Sequence, residues 1–115
     1  MYHYNAHIDL TQRENIMKDK FYNFTSDGGH GWAKISLKEL HKLGIAEKIS
    51  HYSYMRKGFA YLEEDCDMTV LYNALGLRGI TMKLRYSDSK GIRSSKIRNY
   101  DSYDASKVNW IELYK

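Results

Sequence analysis

The sequence predicts an α+β domain, a mostly antiparallel sheet with two short helices packed on one face. Three observations lead there. Several segments alternate apolar and polar residues with the period of two that a half-buried strand requires. Two others repeat apolar residues every three to four positions, with a capping side chain at the start and a glycine at the end. Glycine-bearing turns at residues 26–31 and 56–58 separate neighbouring strand segments. No linker, repeat or low-complexity tract interrupts the 115 residues, so residues 1–115 read as a single compact domain.

The elements follow in order. In residues 2–10, Tyr2, Tyr4, Ala6, Ile8 and Leu10 fall on one side and His3, Asn5, His7 and Asp9 on the other, the pattern of a strand. Residues 11–20 are polar, a loop or short helix. Phe21 to Thr25 and Trp32 to Ile35 form a strand pair around the turn Ser26–Gly31, whose glycines permit positive φ. Ser36 and Glu39 have the spacing of a capping box, Leu37, Leu40 and Leu43 mark the buried stripe, and Gly44 ends the helix. Ile45 and Ile49 add one more packed turn. Tyr52 and Tyr54 face Phe59 and Tyr61 across Arg56-Lys57-Gly58 as a hairpin. Asp65 or Asp67 then caps a second helix with Met68, Leu71, Tyr72 and Leu75 inward and Gly76 at its end. Ile80 to Tyr86 is a strand with Ile80, Met82, Leu84 and Tyr86 inward, and Asn109 to Tyr114 closes the chain as another.

Composition narrows the function classes. An apolar share of 43% with 28% charged residues suits a water-soluble globular domain. No window approaches the ~18 continuous apolar residues of a membrane span, and residues 1–10 alternate rather than forming a secretory signal. One cysteine, Cys66, excludes an internal disulfide and fits a reducing cytoplasm. Proline is absent, while tyrosine occurs eleven times, a residue typical of half-exposed sheets and binding surfaces. Charge is uneven. Residues 1–77 carry nine Lys/Arg against ten Asp/Glu, and residues 78–115 nine against four, so the basic excess lies in the last third.

Four groups of residues are candidates for chemistry. The turn Asp27, Gly28, Gly29 and His30 could present backbone N–H groups to an anion, with His30 as acid, base or ligand, although it matches neither a phosphate loop nor a dinucleotide fingerprint. Its plainer reading is a hairpin tip. The carboxylates Glu63, Glu64, Asp65 and Asp67 form an acidic surface that could meet a basic partner. Alternation turns Glu63 and Glu64 to opposite sides, and a helix start on a solvated face is the simpler account. Cys66 sits among carboxylates that oppose thiolate formation, and His3, His7, His30, His41 and His51 show no zinc spacing, so no metal and no cofactor is expected. The basic, tyrosine-bearing segment of Lys83, Arg85, Lys90, Arg93, Lys96, Arg98, Tyr100 and Tyr103 is the strongest argument for a partner. Lys and Arg neutralise phosphates while tyrosines stack on bases, and the same mixture anchors protein interfaces.

Several blocks are shared with a recognisable group. Ser26-Asp27-Gly28-Gly29-His30-Gly31-Trp32, Leu43-Gly44-Ile45, Lys48-Ile49-Ser50, Tyr52-Ser53-Tyr54, Tyr61-Leu62-Glu63-Glu64-Asp65-Cys66-Asp67 and Lys96-Ile97-Arg98-Asn99-Tyr100 together resemble small uncharacterised proteins of tailed phages and mobile elements. The resemblance covers roughly residues 21–103. It brings no assigned activity or catalytic residue. It implies a phage-type accessory protein acting in a bacterial host cytoplasm, and such proteins often work by binding a host machine, defence nucleases included.

Three functional expectations follow. The leading one is a non-enzymatic accessory protein that binds a host protein or ribonucleoprotein, with inhibition of host defence as one form. The second is nucleic-acid binding through residues 83–103. The third is a small enzyme or nucleotide binder built on the Asp27–His30 turn. That third reading requires His30 to lie within hydrogen-bond reach of a carboxylate inside a pocket, with Glu64 or Asp65 as the nearby acids.

Overall fold

The computed structural model describes residues 18–87 and 94–115. The expected strand at residues 2–10 and most of the stretch 11–20 lie outside these, as do Lys90 and Arg93. The described elements are β1 (Lys18–Ser26), β2 (Gly31–Ser36), α1 (Leu37–Lys42), β3 (Tyr54–Arg56), β4 (Phe59–Glu63), α2 (Met68–Gly76), β5 (Ile80–Tyr86) and the short β6 (Asp101–Ser102). The six strands form one sheet in the order β5-β1-β2-β4-β3-β6. β1 runs parallel to β5, and every other pairing is antiparallel. The fold is thus α+β with a mixed, mostly antiparallel sheet.

Local chemistry accounts for the elements. Ser36 Oγ accepts the Glu39 N–H at 3.0 Å and starts α1. The Glu39 carboxylate does not complete the capping box. It accepts the Tyr22 hydroxyl and pairs with Lys20 instead. Gly44, at φ 75°, ends the helix. The turn between β3 and β4 places Lys57 at φ 50° and Gly58 at φ 86°, consecutive left-handed residues as a tight hairpin needs. Gly31 serves a different purpose. It lies beneath the ring of Phe24, and a Cβ there would sit 2.1 Å from that ring.

The register assigns every strand residue to a face. Tyr22, Ile35, Ala60 and Leu62 turn to one side, where Leu37 and Leu40 of α1 and Leu71, Ala74 and Leu75 of α2 bury them in a common core. The residues alternating with them point to the other side, which among the described residues no α-helix covers, the 3-10 turn Lys96–Asn99 lying over its Trp32 end. That open face bears Phe21, Lys34, Phe59, Tyr61, Arg56, Lys83 and Arg85, with Trp32 and Glu63 at one end.

Three expectations change. Residues 109–114 form no strand: a 3-10 turn covers Glu112–Tyr114, and Trp110 stacks on His41 while donating to the Ala105 carbonyl. Tyr72 and Tyr86 are exposed at 58% and 73%, so neither belongs to the buried stripe of its element. Asp67 stands at the start of α2, but its carboxylate makes no capping bond and binds Ser50 and Ser53. Gly76 is the last residue of α2, as expected, and the glycine with a positive φ beyond it is Gly79, at φ 72°.

Candidate active site

Strand pairing joins blocks that are far apart in sequence. Trp32, the second residue of β2, sits opposite Glu63, the last of β4. The β1–β2 turn therefore lies beside the acidic block. The 3-10 turn Lys96–Asn99 brings Arg98 over the indole of Trp32, 5.4 Å from its ring. His30, Trp32, Tyr52, Tyr54, Glu63, Asp65, Cys66 and Arg98 line one pocket of about 340 Å³ at this end of the open face.

Asp27 holds the pocket together. It is 3% exposed, and its carboxylate accepts Nε and Nη2 of Arg98 at 2.6 and 2.9 Å. It also accepts the backbone N–H groups of Ser95 (2.8 Å), His30 (3.2 Å) and Gly29 (3.3 Å). The Arg98 guanidinium, against the opposing cost of burial, holds this carboxyl well below the usual carboxylate range. The expected anion nest is therefore filled from within: the Gly29 and His30 amides are spent on this chain's own carboxylate, leaving them no outside anion to bind. Of the turn's glycines, Gly28 takes the positive φ, at 87°. Gly29 makes room for Arg98, whose Nη2 would lie 3.1 Å from a Cβ there.

His30 and Glu63 form a hydrogen-bonded pair in the pocket. Nδ1 of His30 lies 3.0 Å from Oε2 of Glu63. Oε1 of Glu63 accepts the N–H groups of Asp65 and Cys66 at 2.9 and 3.0 Å. Burial pushes the Glu63 carboxyl up, but the bonds from His30, Cys66 and Asp65 outweigh it and hold the group below its usual range. An ionised Glu63 only accepts hydrogen bonds, so the shared proton belongs to Nδ1 of His30. In the neutral imidazole Nε2 then carries the lone pair, and the imidazole side chain is 48% exposed. A base oriented by a buried carboxylate is the arrangement that general acid–base catalysis uses. From behind, Asp67 accepts the hydroxyls of Ser50 and Ser53, and Ser53 Oγ accepts the Glu63 N–H at 2.9 Å.

Cys66 faces the same pocket, where desolvation, its hydrogen bond to Glu63 and the surrounding carboxylates push its thiol up. That setting opposes thiolate formation. The His30 nitrogen and the carboxylate oxygens of Glu63 and Asp65 lie within 4.8 Å of one another, and among the described residues these three could hold a metal ion. Trp32 is 2% exposed, and its indole N–H has no acceptor among the described residues.

The sequence-predicted residues divide sharply. Glu63 and Asp67 are buried, so the expected acidic surface shrinks to Glu64 and Asp65. Alternation did separate Glu63 from Glu64, and the acid beside His30 is Glu63, with Asp65 near it and Glu64 turned to solvent. Within the basic segment, Lys83, Arg85 and Lys96 are exposed. Arg98 is committed to Asp27, and Tyr103 is 2% exposed with its hydroxyl donating to the Ala46 carbonyl, so neither is a free contact residue. Tyr100 packs against Tyr61 and beneath Arg56. Sequence reasoning missed Trp32, Tyr52 and Tyr54 as pocket walls. The period-two pattern of residues 59–63 held the signal for Glu63, since it puts that acid on the face of Phe59 and Tyr61. No protein family, curated protein or solved structure compared with this chain matches it. Among the described residues, no helix is long and apolar enough to cross a membrane.

Proposed function

We propose that the pocket is a ligand-binding acid–base site, in which Nε2 of His30 takes up or delivers a proton while Glu63 fixes the imidazole. The observation that carries this reading is the 3.0 Å contact between His30 and a buried, ionised Glu63 inside a walled pocket. Supporting it, the pocket draws residues from four separate blocks that carry the resemblance to phage-type proteins: the turn, Tyr52-Ser53-Tyr54, the acidic run and the Arg98 segment. Trp32, Tyr52 and Tyr54 supply flat apolar walls, as ligand pockets with a few convergent polar groups commonly do. The test is turnover of phosphodiester, phosphomonoester and carboxylic-ester reporters. Turnover that disappears in both His30→Ala and Glu63→Gln, with circular dichroism unchanged, is the expected result. Failure of the native chain to turn over any of the three classes overturns the reading.

A second reading, an accessory protein that binds a host protein or ribonucleoprotein, is supported by the resemblance and by a surface on α2. Tyr72 and Leu77 are 58% and 88% exposed there and line a concavity with Ile80 and Thr81. Its test is affinity capture from a bacterial lysate, with loss of the captured protein in Tyr72→Ala/Leu77→Asp expected. Capture that persists in that variant counts against this surface.

A further inference from the structure

We infer that the open face of the sheet is a track for single-stranded nucleic acid, leading one nucleotide into the His30 pocket. The pairing order sets out the face strand by strand. β5 contributes the cations Lys83 and Arg85, β1 the ring of Phe21, β2 the cation Lys34, β4 the rings of Phe59 and Tyr61, and β3 the cation Arg56. Cations and rings are thus interleaved across five strands, about 4.8 Å apart, with Trp32 of β2 and Tyr54 of β3 adding rings at the pocket end.

The side chains are already mated across those strands. Arg85 lies 4.8 Å from the ring of Phe21, Lys34 lies 4.2 Å from that of Phe59, and Arg56 lies 5.2 Å from that of Tyr100. Phe21 and Phe59 nevertheless remain 46% and 37% exposed. Between Phe21, Lys34, Phe59 and Arg85 the surface dips into a concavity of about 420 Å³. Glu39 at its rim is occupied by Lys20 and Tyr22. Apart from Glu63 in the pocket, the carboxylate that the strand register puts on this face is Asp19, near the start of β1.

A face with four cations interleaved with exposed rings matches a polyanion that also presents flat aromatic groups. Bases stack on aromatic side chains while Lys and Arg neutralise phosphates. A duplex hides its base faces, so the rings favour a single strand. Along β2, Trp32 follows Lys34 after one two-residue step, about 7 Å, so the face runs directly into the pocket walls. The inference names the substrate class of the acid–base site and rests on that reading for its chemistry, but binding on the face does not depend on it.

The experiment is fluorescence anisotropy with labelled single-stranded 12-mers of DNA and RNA and with the matching duplex, across a salt series, using the full chain. Binding of single strands in preference to duplex is expected, weakening steeply with salt. The double reversal Lys34→Glu/Arg85→Glu should lower affinity at least about tenfold and flatten the salt slope by about 1.4, since each neutralised phosphate contributes roughly 0.7. Phe59→Ala should weaken binding by about tenfold at every salt concentration. Lys42→Glu, on α1 at the covered side, should bind as the native chain does. No detectable binding at low salt overturns the inference, as does a Lys34/Arg85 double variant that binds normally, or a protein ligand that occupies the face of a chain unable to bind oligonucleotide. An oligonucleotide bound but never turned over, together with inert ester reporters, counts against the acid–base reading alone. Ester turnover without oligonucleotide binding counts against the track alone.

Discussion

Asp27 and Glu63 are both buried carboxylates at one end of the sheet, both accept backbone N–H groups, and both titrate below their usual range. They nevertheless differ in what they leave open. Asp27 is closed on every side by Arg98, Ser95, Gly29 and His30, and its side chain has no exposed surface. Glu63 turns one oxygen to backbone donors and the other to a half-exposed imidazole. The contrast separates two uses of a buried charge. A charge whose partners are all internal fixes the shape of a loop, whereas one that shares its field with an accessible base can act on something that arrives.

The largest break in that comparison should come from Asp27→Ala. Removing one member of a buried pair, along with the acceptor for three amides, should cost about 3–5 kcal/mol. Urea unfolding would show it as a shifted midpoint with an unchanged slope. A loss below about 1 kcal/mol would mean that Arg98 and the turn hold themselves in place. Glu63→Gln should be milder, about 1–2 kcal/mol, with the fold retained. In nitrogen NMR its His30 ring should lose the fixed Nδ1–H tautomer expected of the native chain. A native chain with the proton on Nε2 would break the dyad reading outright.

Acid should separate the same two residues. Each folded carboxyl titrates below its unfolded value, so each contributes stability that is complete above the unfolded range and is lost as pH falls through the folded value. The losses begin near pH 5. The acid limb of stability against pH should therefore become shallower in Glu63→Gln. It should become shallower still, and down to lower pH, in Asp27→Asn, measured by chemical denaturation at stepped pH. The smallest effect is expected from Cys66→Ser. The thiol is exposed and pushed up in pKa, so neither the unfolding midpoint nor turnover should shift measurably. A substantial loss of turnover would give the thiol a part in the chemistry of the pocket.

What could be read from the sequence was what depends on near neighbours. Ser36 and Glu39 are three residues apart, Lys57-Gly58 makes its turn alone, and Leu71 and Leu75 repeat within one helix; each was visible without knowledge of the rest of the chain. The pocket was not, because its assembly depends on strand order. That β2 lies beside β4 puts Trp32 against Glu63, and no local pattern states which strand pairs with which. The parallel pairing of β1 with β5 was hidden for the same reason. Arg98 sat in a polar stretch without periodicity, where a buried anchor and a solvated arginine look alike. Acidity misled as well: four carboxylates within five residues suggest a solvated helix start, yet hydrogen bonds from His30, Ser50 and Ser53 offset the burial of two of them.

The bond between Asp27 and Arg98 joins residues 71 positions apart. Closing so long a loop requires most of the chain to be present and the intervening sheet to be in register. On a ribosome, β1, β2 and β4 would emerge well before Arg98 does, leaving Asp27 without its guanidinium and His30 without the turn that aims it. The working end of the molecule is therefore also the last to mature: an incompletely synthesised chain can have a sheet, but not a site.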